Sequence, residues 1–182
     1  MAFLVKFKTV VEVIQIFFIT LAIVIPIRYF LFQPFFISGA SMEPNFNSGE
    51  YLLVDEISYR FNDPERGDVI VFKSPNNPAS YFIKRIIGLP GEALKIEKSK
   101  IIIYNLENPN GITIEEDYID EETQGEIDIS LKKDEYYVLG DNREHSSDSR
   151  SFGTVPKENI VGKAWISVYR QDGIKLLEKP QY

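Results

Sequence analysis

The sequence predicts a mainly β protein, a partly closed antiparallel sheet carrying a β-ribbon insert and preceded by one N-terminal transmembrane helix. Three observations predict it. Residues 10–32 are almost continuously apolar. From Tyr51 onward, short runs rich in β-branched and aromatic residues are bounded by Gly, Pro, Asn and Asp, which is the pattern of strands and turns. Between Glu92 and Asp134 the chain turns hydrophilic and acidic, so that part reads as an insertion into the strand pattern.

Residues 1–9 form a short cytoplasmic N-terminus with Lys6 and Lys8, and 10–32 form the anchor. The uncharged part, Val13 to Ile27, would reach only about 22 Å as a helix, short of the roughly 30 Å hydrocarbon layer. Arg28 must therefore lay its stem along the bilayer and put its guanidinium among the headgroups. The span then continues to Phe32, with Tyr29, Phe30 and Phe32 as interfacial aromatics. Lys6 and Lys8 orient the body to the outer side. Two other readings are a buried core helix and a cleavable signal peptide, the latter because Ser38 and Ala40 are small residues placed three and one before Ser41. Aromatics on all faces argue against the first, and the length of the run and Arg28-Tyr29-Phe30 at its end against the second.

The core is expected over 33–91 and 135–182, with strands at 51–54, 69–72, 81–83, 136–139 and 164–169 and short helical turns at Pro64-Glu65-Arg66 and 156–159. The insert, 92–134, contains strand 101–104, turn signals at Asn108-Pro109-Asn110-Gly111 and the acidic run from Glu115 to Glu122. Adjacent carboxylates of this kind read as a solvated face, and no metal or cofactor is expected. A chain of 182 residues holds one domain with at most a small satellite. Its 27 acidic against 20 basic residues give a net charge of −7, which argues against nucleic acid as a partner. The absence of cysteine rules out disulfides and thiolate metal sites.

Chemistry concentrates in three places. Ser41 lies in Ser38-Gly39-Ala40-Ser41-Met42-Glu43-Pro44, just after the apolar run. A serine hydroxyl attacks a carbonyl only if a base takes its proton. The sole histidine, His145, sits in a polar loop and reads as a surface residue. Lysine serves if burial strips its charge, and strand alternation puts Lys84 on one face with Phe82 and Ile86. The third place is Gly140-Asp141-Asn142-Arg143-Glu144-His145-Ser146-Ser147-Asp148-Ser149-Arg150, where alternating charges suit a buried brace. Asp148 can pair with Arg150, and Ser146 or Ser149 can hold the lysine amine. Backbone amides beside Ser41 and Gly39 can stabilise an oxyanion. The pairing of Ser41 and Lys84 suggests a serine protease that works without histidine.

Four segments resemble, in order, the sequence boxes of bacterial type I signal peptidase: Ser41-Met42-Glu43-Pro44, Arg66-Gly67-Asp68-Val69-Ile70-Val71-Phe72, Lys84-Arg85-Ile86-Ile87-Gly88-Leu89-Pro90-Gly91, and Gly140-Asp141-Asn142-Arg143 through Asp148-Ser149-Arg150. The resemblance implies Ser41 as nucleophile, Lys84 as general base, Ser146 as the serine that hydrogen-bonds the lysine, and Asp148 with Arg150 as a bracing salt bridge. It implies that Phe35, Ile37, Met42, Phe46, Phe82 and Ile83 line shallow pockets for the small residues of signal peptides. By the same resemblance the partners are secretory preproteins and the lipid bilayer, and the location is the bacterial cytoplasmic membrane. Asn45 stands where the family commonly has threonine, and Gly39 lacks a hydroxyl that some members contribute to the oxyanion hole. A self-cleaving Ser-Lys repressor would carry a DNA-binding domain where this chain has its apolar run, and an inactive anchored binding homologue would differ only in activity.

Overall fold

The computed structural model describes residues 2–30, 32–119, 121–169, 173–177, 179, 180 and 182, with side chains described at 9–25 and from residue 33 onward among these. Helix α1 (Ala2–Phe30) is followed by strands β1 (Phe32–Phe36) and β2 (Tyr51–Asp55), the short helix α2 (Ser58–Phe61), and strands β3 (Val69–Lys73) and β4 (Tyr81–Gly88). Next come β5 (Ala93–Glu97), β6 (Lys100–Tyr104), β7 (Ile112–Thr113) and β8 (Ile127–Ser130), then β9 (Glu135–Leu139), α3 (Ser149–Phe152), β10 (Val155–Pro156), β11 (Ile160–Tyr169) and β12 (Gly173–Leu176).

The fold is mainly β and antiparallel. The larger sheet has the order β1-β2-β11-β3-β4-β9-β10, with β12 beside β11, while β7-β6-β5-β8 form a second, four-stranded sheet. All four residues Val69-Ile70-Val71-Phe72 are buried, because Val69 and Val71 enter one apolar cluster with Ile37, Met42, Phe46 and Leu52, whereas Ile70 and Phe72 enter another with Ile86, Tyr136 and Val138. A strand covered on both faces reads as a continuous apolar run. The four-stranded sheet turns Leu94, Ile96, Ile101 and Ile103 onto Ile87, Tyr137 and Leu139 of β4 and β9. Each such side chain contributes about 1.5–3 kcal/mol when fully buried, so the insert is tightly joined to the strand that carries Lys84.

Strand β11 lies between β2 and β3, with register shifts around Val161 and Trp165. Gly162 permits this, since a Cβ there would stand 2.4 Å from the Asp55 carbonyl oxygen. The turn expected at 64–66 is not helical, and the nearby helix is Ser58–Phe61, where Asp55 accepts hydrogen bonds from the Ile57 and Ser58 amides (2.9 and 3.0 Å). The turn at 156–159 appears as a 3₁₀ helix, Lys157–Asn159.

The outward face of β1, β2, β11 and β12 carries two apolar rows. Register aligns Phe36, Tyr51, Val168 and Ile174 in one, and Pro34, Leu53, Ile166 and Leu176 in the other. Phe36 and Tyr51 are each 60% exposed and Ile174 75%. The described side chains of α1, residues 9–25, are exposed, and all but Thr9, Glu12, Gln15 and Thr20 are apolar. Among the described residues no helix is long and apolar enough to cross a membrane. Lys6, Lys8, Arg28, Tyr29, Phe30 and Phe32, on which the sequence reading of the anchor and its orientation leans, lie outside the described side chains.

Candidate active site

Ser41 opens a tight turn that follows β1. The turn is closed by hydrogen bonds from the Glu43 amide to the Ala40 carbonyl (3.1 Å) and from the Phe46 amide to the Met42 carbonyl (2.9 Å). Met42 and Phe46 are 1% and 2% exposed, so they pin the turn into the core. Lys84, opposite Ile70 in the β3–β4 ladder, is 3% exposed. Its Nζ donates to Ser41 Oγ at 2.7 Å and to the Ile83 carbonyl at 2.8 Å, and lies 5.7 Å from the centre of the Phe82 ring. Burial pulls the Lys84 pKa from 10.5 down to about 8, against the charges of Asp148 and Asp141, which push it up. A neutral amine then has a lone pair for the serine proton across the same 2.7 Å contact.

The loop after β9 closes over this pair. The Asp148 carboxylate receives Arg150 Nε and Nη2, each at 2.9 Å, and the Gly140 amide at 3.1 Å, and it caps α3 through the Arg150 amide at 3.2 Å. The Asn142 amide donates to the Ser41 carbonyl at 3.2 Å. Ser149 is committed elsewhere, accepting from the Val138 amide at 2.9 Å. The Ser146 hydroxyl does not hydrogen-bond Lys84 in this structure; it is buried and has no hydrogen-bond partner among the described residues. The amine is instead satisfied by Ser41 and the Ile83 carbonyl. Ser146 lies against Gly140, where a Cβ would stand 2.1 Å from Ser146 Oγ and 2.4 Å from the Ser41 carbonyl oxygen. His145 is exposed, and its Nδ1 faces Asn142 Oδ1 at 3.2 Å.

Residues 10–169 match the family described as signal peptidase, peptidase S26. The chain belongs to that family. It is 36% identical over 159 residues to a probable signal peptidase I-2 of Synechocystis, covering 84% of this chain and 70% of the relative. It is 33% identical over 215 residues to signal peptidase I of Aquifex aeolicus (87% and 83% covered), and 31% identical over 182 residues to signal peptidase I P of Bacillus subtilis subsp. natto (93% and 95%). A crystal structure of a signal peptidase I from Enterococcus faecalis shares 32% identity, with a TM-score of 0.48 over 56% of this chain and 97% of that one.

In this member of the signal peptidase family, a cleft of about 140 Å³ runs past Ser41 and Lys84, lined by Phe35, Ile37, Phe82 and Ile83 together with Phe36, Ser38, Leu52, Val71 and Tyr81. Met42 and Phe46 are not on its wall. They face the core, and Phe46 borders a separate cavity of about 460 Å³ beside Arg85 and Lys163 that holds neither Ser41 nor Lys84. The larger cavity is therefore not the one beside the Ser41–Lys84 contact.

Two ion pairs escape a sequence reading centred on the dyad. Arg85, next to the lysine, donates to both Asp141 oxygens (2.8 and 2.5 Å), with side chains 5% and 0% exposed. Asn45 Nδ2 donates to the same Asp141 at 3.0 Å. Arg143, whose side chain is fully buried, donates to Glu116 at 2.5 and 2.6 Å. Glu116 belongs to the acidic run expected to be a solvated face. The run is instead split, with Glu115, Asp117 and Glu122 exposed and Glu116 turned inward as a counter-ion. An unpaired buried guanidinium costs far more than an exposed carboxylate gains, which is the force that turns it.

Proposed function

We propose that this protein is a membrane-attached signal peptidase that removes N-terminal signal peptides from secretory preproteins by cleaving after a small residue. The observation that carries this is the 2.7 Å contact between Lys84 Nζ and Ser41 Oγ, with the amine buried and its pKa drawn down to about 8. Lys84 in its neutral form accepts the Ser41 proton as Oγ attacks the scissile carbonyl. The oxyanion that forms is held by the Ser41 amide. Lys84, now charged, returns the proton to the leaving amine, and the acyl-enzyme remains on Ser41. Lys84 then deprotonates the water that releases the acyl group. Asp148 and Arg150 hold the loop that covers the dyad. The buried hydroxyl of Ser146 offers an acceptor to the ammonium once Ser41 is acylated. Phe35, Ile37, Phe82 and Ile83 give the cleft an apolar, shallow wall suited to small side chains, while Met42 and Phe46 shape it from behind.

The same reading places α1 in the bacterial cytoplasmic membrane as a single anchor over 10–30, ending short of the expected 10–32 because Phe32 opens β1, with residues 1–9 in the cytoplasm, the core (33–91 and 135–182) at the outer face, and 92–134 as its insert. Support comes from the exposed, mostly apolar side chains described at 9–25 of α1 and from the two apolar rows on the sheet face of β1, β2, β11 and β12. The test is incubation of detergent-solubilised protein with a secretory preprotein and sequencing of the new N-terminus. Wild type should cut after a small residue, while Ser41→Ala and Lys84→Arg should not cut, since arginine keeps its proton. A folded Lys84→Arg protein with wild-type turnover would exclude the mechanism.

A further inference from the structure

The segment between β7 and β8, residues 114–126, lies in the insert, yet its polar groups face the catalytic elements. Glu116 binds the guanidinium of Arg143 through both oxygens, at 2.5 and 2.6 Å, and Thr123 hydrogen-bonds the same group. Arg143 in turn donates from Nε to the Gly140 carbonyl at 2.9 Å. Gly140 is the residue against which both the Ser41 backbone and the Ser146 hydroxyl rest. Two residues beyond Glu116, the Tyr118 ring lies 4.3 Å from the Arg85 guanidinium carbon, and the Tyr118 carbonyl accepts Asn45 Nδ2 at 2.9 Å. Arg85 follows the lysine in β4, and Asn45 sits in the turn that Ser41 opens. Glu121 accepts the Glu144 amide at 3.2 Å. One segment of the insert therefore contacts the turn of the nucleophile, the strand of the base and the loop that covers them.

We propose that Glu116 and Tyr118 are positioning residues for the reaction, and that the insert holds Ser41 and Lys84 in register through Arg143, Arg85 and Asn45. This rests on the Ser41–Lys84 reading of the site. The physical case is strongest at Arg143, whose ion pair is with Glu116, while Tyr118 adds to the hold that Asp141 has on Arg85 and Asn45. Arg143 is fully buried, and Glu116 is the carboxylate that pairs with it; without Glu116 the guanidinium must move toward water and draw the Gly140 carbonyl with it. The Arg85 guanidinium is clamped in plane by Asp141 and from its face by the Tyr118 ring, and a cation over an aromatic face is favoured most when desolvated. Asn45 is also accounted for. Its amide spans from the Asp141 carboxylate to the Tyr118 carbonyl.

The test measures kcat and KM for a signal-peptide substrate, the pH profile of kcat/KM and the thermal midpoint, for the wild type and for Glu116→Gln, Tyr118→Leu, Tyr118→Phe and the exposed-site control Glu115→Gln. Glu116→Gln and Tyr118→Leu should lower kcat by about ten- to a hundredfold, the scale expected when reacting groups are displaced by a fraction of an ångström to an ångström. KM should stay within about twofold, because the cleft residues are untouched. Tyr118→Phe keeps the ring over Arg85 but loses the hydroxyl's hydrogen bond to Glu116, so its kcat should lie well above that of Tyr118→Leu. In Glu116→Gln the acid limb should also move to lower pH. Asp141 and Asp148 favour the charged lysine, Arg85 offsets Asp141, and the uncompensated charge of Arg143 disfavours protonation further. A merely structural role would lower the thermal midpoint and the active fraction but leave the acid limb where it was. Variants that keep the wild-type kcat and acid limb at temperatures below their midpoints would overturn the proposal. An inactive wild type would instead overturn the reading of the dyad itself, which keeps the two failures apart.

Discussion

Replacing Lys84 by methionine in a Ser41→Ala background should make the inactive protein more stable at neutral pH, with a gain that fades as the pH rises. Burial pulls the lysine pKa from 10.5 to about 8, a gap worth about 3 kcal/mol at about 1.4 kcal/mol per pH unit. The residue is 3% exposed, so solvent screening removes little of it. Between about pH 8 and 10.5 the unfolded chain still holds a proton that the folded chain has released. Unfolding then takes up a proton, and stability rises with pH across that window. Below about pH 8 both states are protonated, and the whole cost of the buried ammonium is present. Methionine keeps the length of the side chain and removes the charge. It also loses the hydrogen bond to the Ile83 carbonyl, worth about 1 kcal/mol, so the net gain at pH 7 should be about 2 kcal/mol. Urea midpoints for the two proteins from pH 6.5 to 10, at constant m, measure this directly. In the active enzyme the acid limb of kcat/KM should be centred near pH 8. A pH-independent difference between the two proteins, or an acid limb near the unperturbed lysine value, would refute the desolvated amine.

Gly140→Ala should lower activity by about a hundredfold or more, because the added Cβ meets the Ser41 carbonyl oxygen at 2.4 Å, a backbone atom that cannot yield without moving the nucleophile; steady-state cleavage checks it. His145→Ala should keep at least about half of wild-type kcat/KM, given that its side chain is exposed and its ring faces Asn142. Removal of residues 1–29 should leave a folded protein that still cleaves peptide in detergent and still floats with lipid vesicles. Adding Ile174→Glu and Leu176→Glu, at sites 75% and 63% exposed, should abolish flotation without shifting the thermal midpoint.

What could be read from the chain divides by the range of the interaction. Ser41 and Lys84 are legible because each lies in a dense local motif, and Asp148 with Arg150 because the pair is two residues apart on one loop. The strands from 69 to 72 and from 136 to 139 are legible as apolar runs, while β5 and β8, Ala93–Glu97 and Ile127–Ser130, carry alternating charges that mask them. The placement of β11 between β2 and β3 is not local information at all, and Gly162, the residue that permits it, looks like any loop glycine until Asp55 is beside it. The inward turn of Glu116 fails for a related reason. Its neighbours are acidic and solvated, and its partner, Arg143, is 27 positions away. Yet the loop from Gly140 to Arg150 carries two arginines against two acidic residues beyond Gly140-Asp141, and Asp141 is claimed by Arg85 and Asp148 by Arg150. Once those pairs are assigned, the exposed Glu144 cannot neutralise the buried Arg143, and a guanidinium held away from water needs a carboxylate from elsewhere. The acidic insert is the part of the chain with carboxylates in surplus, so the demand for charge balance inside the core fixes what the pattern of the insert alone does not.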